Sequence, residues 1–179
     1  MMNMSDEAPV EIVDYDPAWP AQFARERQLL ATALAPWLAG PVEHVGSTAI
    51  PGFAAKPVID IMGAVQSLEA SRPAIAAAGD LGYCYFPYQA HIEHWFCKPS
   101  PAMRTHHLHL VPFQSEQWQR VIAFRDYLRE HAGAAAEYDA LKRQLARQHQ
   151  FDREAYTDAK RPFITRITDQ ALELGYGSR

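Results

Sequence analysis

Between Glu43 and Met62 the chain reads EHVGSTAIPGFAAKPVIDIM, and this stretch holds the residues whose types and spacing best suit chemistry. Gly46 and Ser47 close a short apolar strand pattern. Glycine at a strand end lets backbone amides come close to an anion, and a following hydroxyl adds a donor; Thr48 is grouped with these two as a phosphate-binding residue. Asp60 then sits among Val58, Ile59, Ile61 and Met62, where an unpaired buried carboxylate would be costly, so it must meet a cation, donors or water. The simplest reading is a phosphate cradle opposite an acid able to hold Mg²⁺, an ion that favours a few carboxylates together with phosphate oxygens. Neither GxxxxGK[ST] nor GxGxxG is present, which excludes a Walker A loop and a dinucleotide fingerprint.

Other residues join this group as candidates. Lys56, beside Pro57, can carry charge toward a phosphate at the mouth of the Asp60 strand. Lys160 is four residues after Tyr156 and four before Ile164, inside an apolar helical stripe, so an anion-facing role is expected of it. Arg104 opens the segment RTHHLHL and is a candidate ligand contact. Within that segment His107 and His109 alternate onto one face while His106 and Leu108 take the other. Two imidazoles near an aspartate would suit Zn²⁺, Mn²⁺ or Fe²⁺ better than Mg²⁺; the plainer alternative is that they bond within the sheet or touch phosphate. His91, Glu93 and His94 do not make HExxH and are expected to be exposed in a hairpin. His44 is either a core residue or a support for the Gly-Ser bend. Lys142 is expected on a solvated helix face.

These residues must be positioned by a modest number of elements. The 179 residues suit one domain, 1–179, helical from about residue 114. A helix is expected over 17–38, opened by Asp16-Pro17. Strands are expected over 42–46, 57–65, 83–88, 93–98 and 105–111, with a short alanine-rich helix over 67–80. Three helices follow: one capped by Ser115, one over 134–149 and one over 153–174 that Pro162 should kink or restart. This order gives an α+β fold, a sheet covered by helices.

Composition narrows the partners. A net charge of -4 and a pI near 6.0 argue against binding duplex nucleic acid, which needs a strong basic excess. Cys84 and Cys97 form no CxxC and indicate neither a disulfide framework nor a cysteine zinc site. With no leader pattern in MMNMSDEAPV and no long apolar run, the expected setting is the cytoplasm, without membrane contact.

The segment HVGSTAIPGFAAKPVIDI, together with Leu81-Gly82-Tyr83, HLHLV at 107–111, FRDYL at 124–128 and the Tyr156/Lys160/Phe163/Ile164 spacing, strongly resembles the GrpB family. The likeness runs from Asp16-Pro17-x-Trp19 to the last helix. It implies a nucleotidyltransferase-like mixed β-sheet covered by an N-terminal helix and about three C-terminal helices. In that superfamily a hydrophobic-Gly-Gly/Ser element is followed by an acid, a hydrophobic residue and a second acid. Here Val45-Gly46-Ser47 is separated by twelve residues from Asp60-Ile61, and the second acid's place is taken by Met62. Glu43 and Glu93 are the carboxylates to weigh as replacements.

Three functions follow. The first is nucleotidyl transfer from a nucleoside triphosphate to a small acceptor, with Gly46, Ser47, Thr48, Lys56 and Arg104 on phosphate, Asp60 and Lys160 catalytic, and Mg²⁺ or Mn²⁺ as cofactor. The second is a non-catalytic protein that binds a nucleotide or other phosphorylated small molecule. The third is a metal-dependent hydrolase using Asp60, His107 and His109, the reading that would call for bound Zn²⁺ or Mn²⁺.

Overall fold

Ile59–Val65, here β2, is apolar at every position but Asp60 and Gly63, as expected of a strand covered on both faces. It lies inside a five-stranded sheet of order β1-β2-β5-β4-β3, where β1 is Leu38–Val45, β3 Cys84–Phe86, β4 His94–Pro99 and β5 Arg104–Pro112. The β2–β5 pair is parallel and the other three are antiparallel, so the sheet is mixed. The computed structural model describes residues 9–178. The reading of the first residues as carrying no leader falls largely on residues 1–8, outside the described residues.

Period-two alternation divides the sheet's side chains between two cores. Val42, Ile59, Ile61, Phe96, Leu108 and Leu110 face α1 (Trp19–Ala33) and α2 (Ala74–Asp80), burying Trp19, Leu30, Ala74 and Ala78. Val45, Met62, Ala64 and Val111 face the other way, onto Trp118 and Ile122 of α3 (Glu116–Glu130). Helix α3 packs in turn with α4 (Ala132–Gln148) and α5 (Arg153–Glu173) around Tyr127, Tyr138, Phe163 and Ile167. Ser115 accepts from the Trp118 amide at 3.3 Å, so the expected cap is present.

Some boundaries differ from the sequence-based expectation for clear reasons. Helix α1 stops at Ala33 rather than 38, because Pro36 lacks an amide and disfavours helical geometry at Ala35; Leu38 already begins β1. Gly40 and Pro41 hid the first half of β1 from pattern reading, and its register with β2 shifts there. Helix α2 begins only after Pro73. Pro162 neither stops nor restarts α5, which runs as one helix over 21 residues.

The segment from Gly46 to Val58 is tied down in its second half. Val13 and Ala55 exchange backbone hydrogen bonds at 2.9 and 3.0 Å, and the Phe53 ring packs 5.8 Å from that of Tyr138 on α4. Lys56 is thereby held over the sheet. Among the described residues no helix is long and apolar enough to cross a membrane.

Ile61 is fully buried at the centre of β2, so Ile61→Ala should lower stability by about 2–5 kcal/mol. Urea unfolding should show a lower midpoint with unchanged slope.

Candidate functional site: a lysine-lined cavity around Asp60

Strand pairing brings the acid and the histidines together. Asp60 is in register with His107 across the parallel β2–β5 pair, and Met62 with His109. The His107 Nδ1–H donates to Asp60 Oδ1 at 2.9 Å. Burial alone would raise the Asp60 pKa, but the His107 hydrogen bond and the nearby His107, His109 and Lys56 charges outweigh it, leaving the group below its ordinary value. For His107 burial dominates and lowers the pKa despite Asp60. A neutral ring donating through Nδ1 leaves Nε2 as an acceptor, and that atom is buried with no hydrogen-bond partner among the described residues.

His109 has its own carboxylate. Its Nδ1–H donates to Glu93 Oε2 at 2.7 Å, and although burial pushes its pKa down, Glu93 and Asp60 carry it above the ordinary value. Glu93 and His94 are buried, at 5% and 4% exposure, which corrects the expectation that this stretch would be an exposed hairpin; His91 is exposed. Burial is tolerated because Glu93 meets His109 while His94 bonds the Leu68 carbonyl at 3.0 Å. Glu43 is drawn away by Arg125, whose Nη1 donates to it at 2.7 Å and to the His44 carbonyl at 3.0 Å.

The bend itself is built around glycine. Gly46 has φ 69° and ψ -172°, a region open essentially to glycine, and an added Cβ would collide with Asp60 Oδ2. The Thr48 hydroxyl is committed to the frame: it donates to the Val58 carbonyl at 3.3 Å and accepts from His44 Nε2 at 2.9 Å. His44 stacks on Phe23 at 4.7 Å, and burial holds its pKa near 4, so the ring is neutral. It supports the bend.

A cavity of about 360 Å³ opens over these groups, lined by Gly46, Ser47, Asp60, His107 and His109 and by three lysines. The Lys56 and Lys160 ammonium groups both lie over the Tyr156 ring, 5.0 and 4.4 Å from its centroid. Lys142 lies 3.7 Å from the Phe53 centroid and 5.0 Å from that of Tyr138, and donates to the Ala54 carbonyl. At 2% exposure Lys142 is not on a solvated face, which corrects the expectation for it; its helix turns that side toward the cavity. Burial, reinforced by the neighbouring cations Lys160 and Arg153, lowers Lys56 to about 7. Burial lowers Lys142 to about 7, with Asp139 opposing, and Lys160 to about 8, with Asp60 opposing.

Arg104 stands apart from the cavity lining. Its guanidinium lies 5.6 Å from the Trp95 centroid and its Nε donates to the Pro101 carbonyl at 3.0 Å, while Trp95 is 5.2 Å from His107. Sequence reasoning assigned Lys142 to a solvated face, although Tyr138-x3-Lys142 repeats the Tyr156-x3-Lys160 spacing that drew attention to Lys160. A paired-metal centre does not fit these side chains. Met62 is apolar and buried, Asp60 and Glu93 each bond an imidazole, and among the described residues no three His, Cys, Asp or Glu side chains are arranged to share an ion.

Fold and site thus define a small α+β protein with a lysine-lined cavity over Asp60. The family model described as GrpB protein matches residues 9–170, and the chain belongs to the GrpB family. It is 40% identical to a UPF0157 protein of Pseudomonas aeruginosa, over 94% of this chain and 70% of that one. The crystal structure of conserved protein GrpB from Enterococcus faecalis superposes with a TM-score of 0.83 at 36% identity, covering 91% of this chain and 98% of that one. A dephospho-CoA kinase of Mycolicibacterium paratuberculosis is 34% identical over 88% of this chain but only 44% of its own length.

Gly46→Ala should cost about 1–3 kcal/mol through backbone strain and displace Asp60 from His107. Urea unfolding reads the first effect, and loss of the hydrogen-bonded His107 Nδ1 proton resonance in NMR reads the second.

Proposed function

We propose that the cavity binds a phosphorylated small molecule of the nucleotide class, and that it does so without paired-metal transfer chemistry. One observation carries this reading: Lys56, Lys142 and Lys160 converge on a cavity whose lining holds a single carboxylate, Asp60, beside the Gly46-Ser47 bend. Burial disfavours the charged form of all three lysines, and Lys160 adds to the lowering of Lys56 and Lys142; an anion entering between them would stabilise the ammonium forms. The Tyr138 and Tyr156 rings supply apolar surface for the rest of the ligand.

The test is calorimetry and thermal shift on the full chain with ATP, ADP, pyrophosphate and inorganic phosphate, in EDTA and separately with Mg²⁺. Dephospho-CoA joins the probes because one relative is named for a kinase of that compound. Binding should persist in EDTA. Lys56→Met and Lys160→Met should each weaken it about tenfold or more, the worth of one charge-assisted hydrogen bond, ~1.5–3 kcal/mol. Unchanged affinity in both variants, or no response to any phosphorylated probe, would overturn the reading.

A second reading, nucleotidyl transfer, is favoured by the position of Asp60 across from Gly46-Ser47 and by the superfamily resemblance. It requires that Mg²⁺ or Mn²⁺ be needed and that pyrophosphate accumulate from a nucleoside triphosphate. Retained binding in EDTA without product separates the two.

The pH dependence has a definite sign. The lysine pKa values near 7 and 8 mean that the empty cavity loses ammonium charge as pH rises through that range. Anion affinity should therefore fall from about pH 7.5, where phosphate is already ionised, to about pH 9, with net proton uptake on binding. Titrations in buffers of different ionisation enthalpy measure that uptake.

A further inference from the structure

We propose that Cys84 and Cys97 form an oxidisable dithiol that closes to a disulfide within the folded chain, an unassigned modification site one strand from His107. Neither is disulfide-bonded in this structure, and they are directly opposed in the antiparallel β3–β4 pair. Residues so placed project from the same face with Cβ atoms about 4.5–5.5 Å apart. A disulfide needs about 3.5–4.5 Å. The approach is small, and β3 is well suited to make it: the strand is three residues long, lies at the sheet edge and has β4 as its sheet neighbour.

The two thiols differ in access. Cys97 is fully buried while Cys84 is partly exposed, its thiol donating to the Pro99 carbonyl at 3.4 Å. A thiol is a weak donor, so that contact is a minor obstacle. With hydrogen peroxide as oxidant, Cys84 is oxidised to a sulfenic acid as one water is released. The Cys97 sulfur then attacks the Cys84 sulfur, the S–S bond forms, and the hydroxyl leaves as a second water with the Cys97 proton.

The location gives the bond its reach. Cys97 is in register with His107, and His107 with Asp60. One rung thus runs from Cys84 through Cys97 and His107 to Asp60 and Val45 across all five strands. Tying its outer end alters the packing beside the imidazole that bonds Asp60.

The experiment uses the reduced full chain, treated natively with near-stoichiometric hydrogen peroxide, then alkylated and weighed intact. Because the sequence has two cysteines, an intramolecular disulfide identifies itself. The expected product is a monomer lighter by two hydrogens, with both thiols shielded from alkylation and both restored by dithiothreitol. In Cys84→Ser, Cys97 should stay unmodified; in Cys97→Ser, Cys84 should stop at the sulfenic acid, trapped by dimedone. A disulfide-linked dimer, two thiols still alkylatable, or sulfinic acid on Cys84 of the unsubstituted protein would overturn the proposal. The unsubstituted protein decides the matter even if a serine variant fails to fold.

Discussion

The parallel pairing of β2 with β5 is the constraint on which the site depends. Parallel neighbours are joined through a crossover, and here that crossover passes through α2, β3 and β4 before β5 returns beside β2. The return places Asp60 against His107 and Met62 against His109. A one-residue slip would turn both histidines into the α1/α2 core and expose Leu108 and Leu110 to the cavity. The apolar residues of β5 therefore hold the chemical ones in place: Leu108 and Leu110, both fully buried, fix which way the imidazoles face.

The lysines make the opposite kind of arrangement. Burying ammonium groups is unfavourable, and the protein offsets that cost with aromatic faces at Phe53, Tyr138 and Tyr156 and with the Ala54 carbonyl. None of these partners neutralises a charge. Burial is the main cause lowering Lys56 and Lys160, and Asp60 opposes it in both, so the carboxylate helps to keep these two lysines charged.

Much of this was legible in the amino-acid order. Gly46, Asp60 and Lys160 each break a local rule: a glycine at a strand end, a carboxylate in an apolar run, a cation in an apolar stripe. The alternation of His107 and His109 gave their shared face. Lys142 and Glu93 escaped because their meaning is tertiary. A lysine after Leu141 looks solvated until the segment carrying Phe53 and Ala54 packs against it, and a glutamate beside two histidines looks like a turn until β5 supplies His109. The start of β1 was obscured by Gly40 and Pro41, whose local preferences lose to pairing with β2.

Pro162 has a mechanical consequence for the helix that carries Lys160. Lacking an amide hydrogen, it cannot bond the Asp158 carbonyl one turn earlier. The rod is thus missing a strut at the turn on which Lys160 is mounted, while Phe163 and Ile167 just beyond are clamped in the helical core. This leaves the turn that carries Lys160 with less backbone restraint than the turns that carry Phe163 and Ile167.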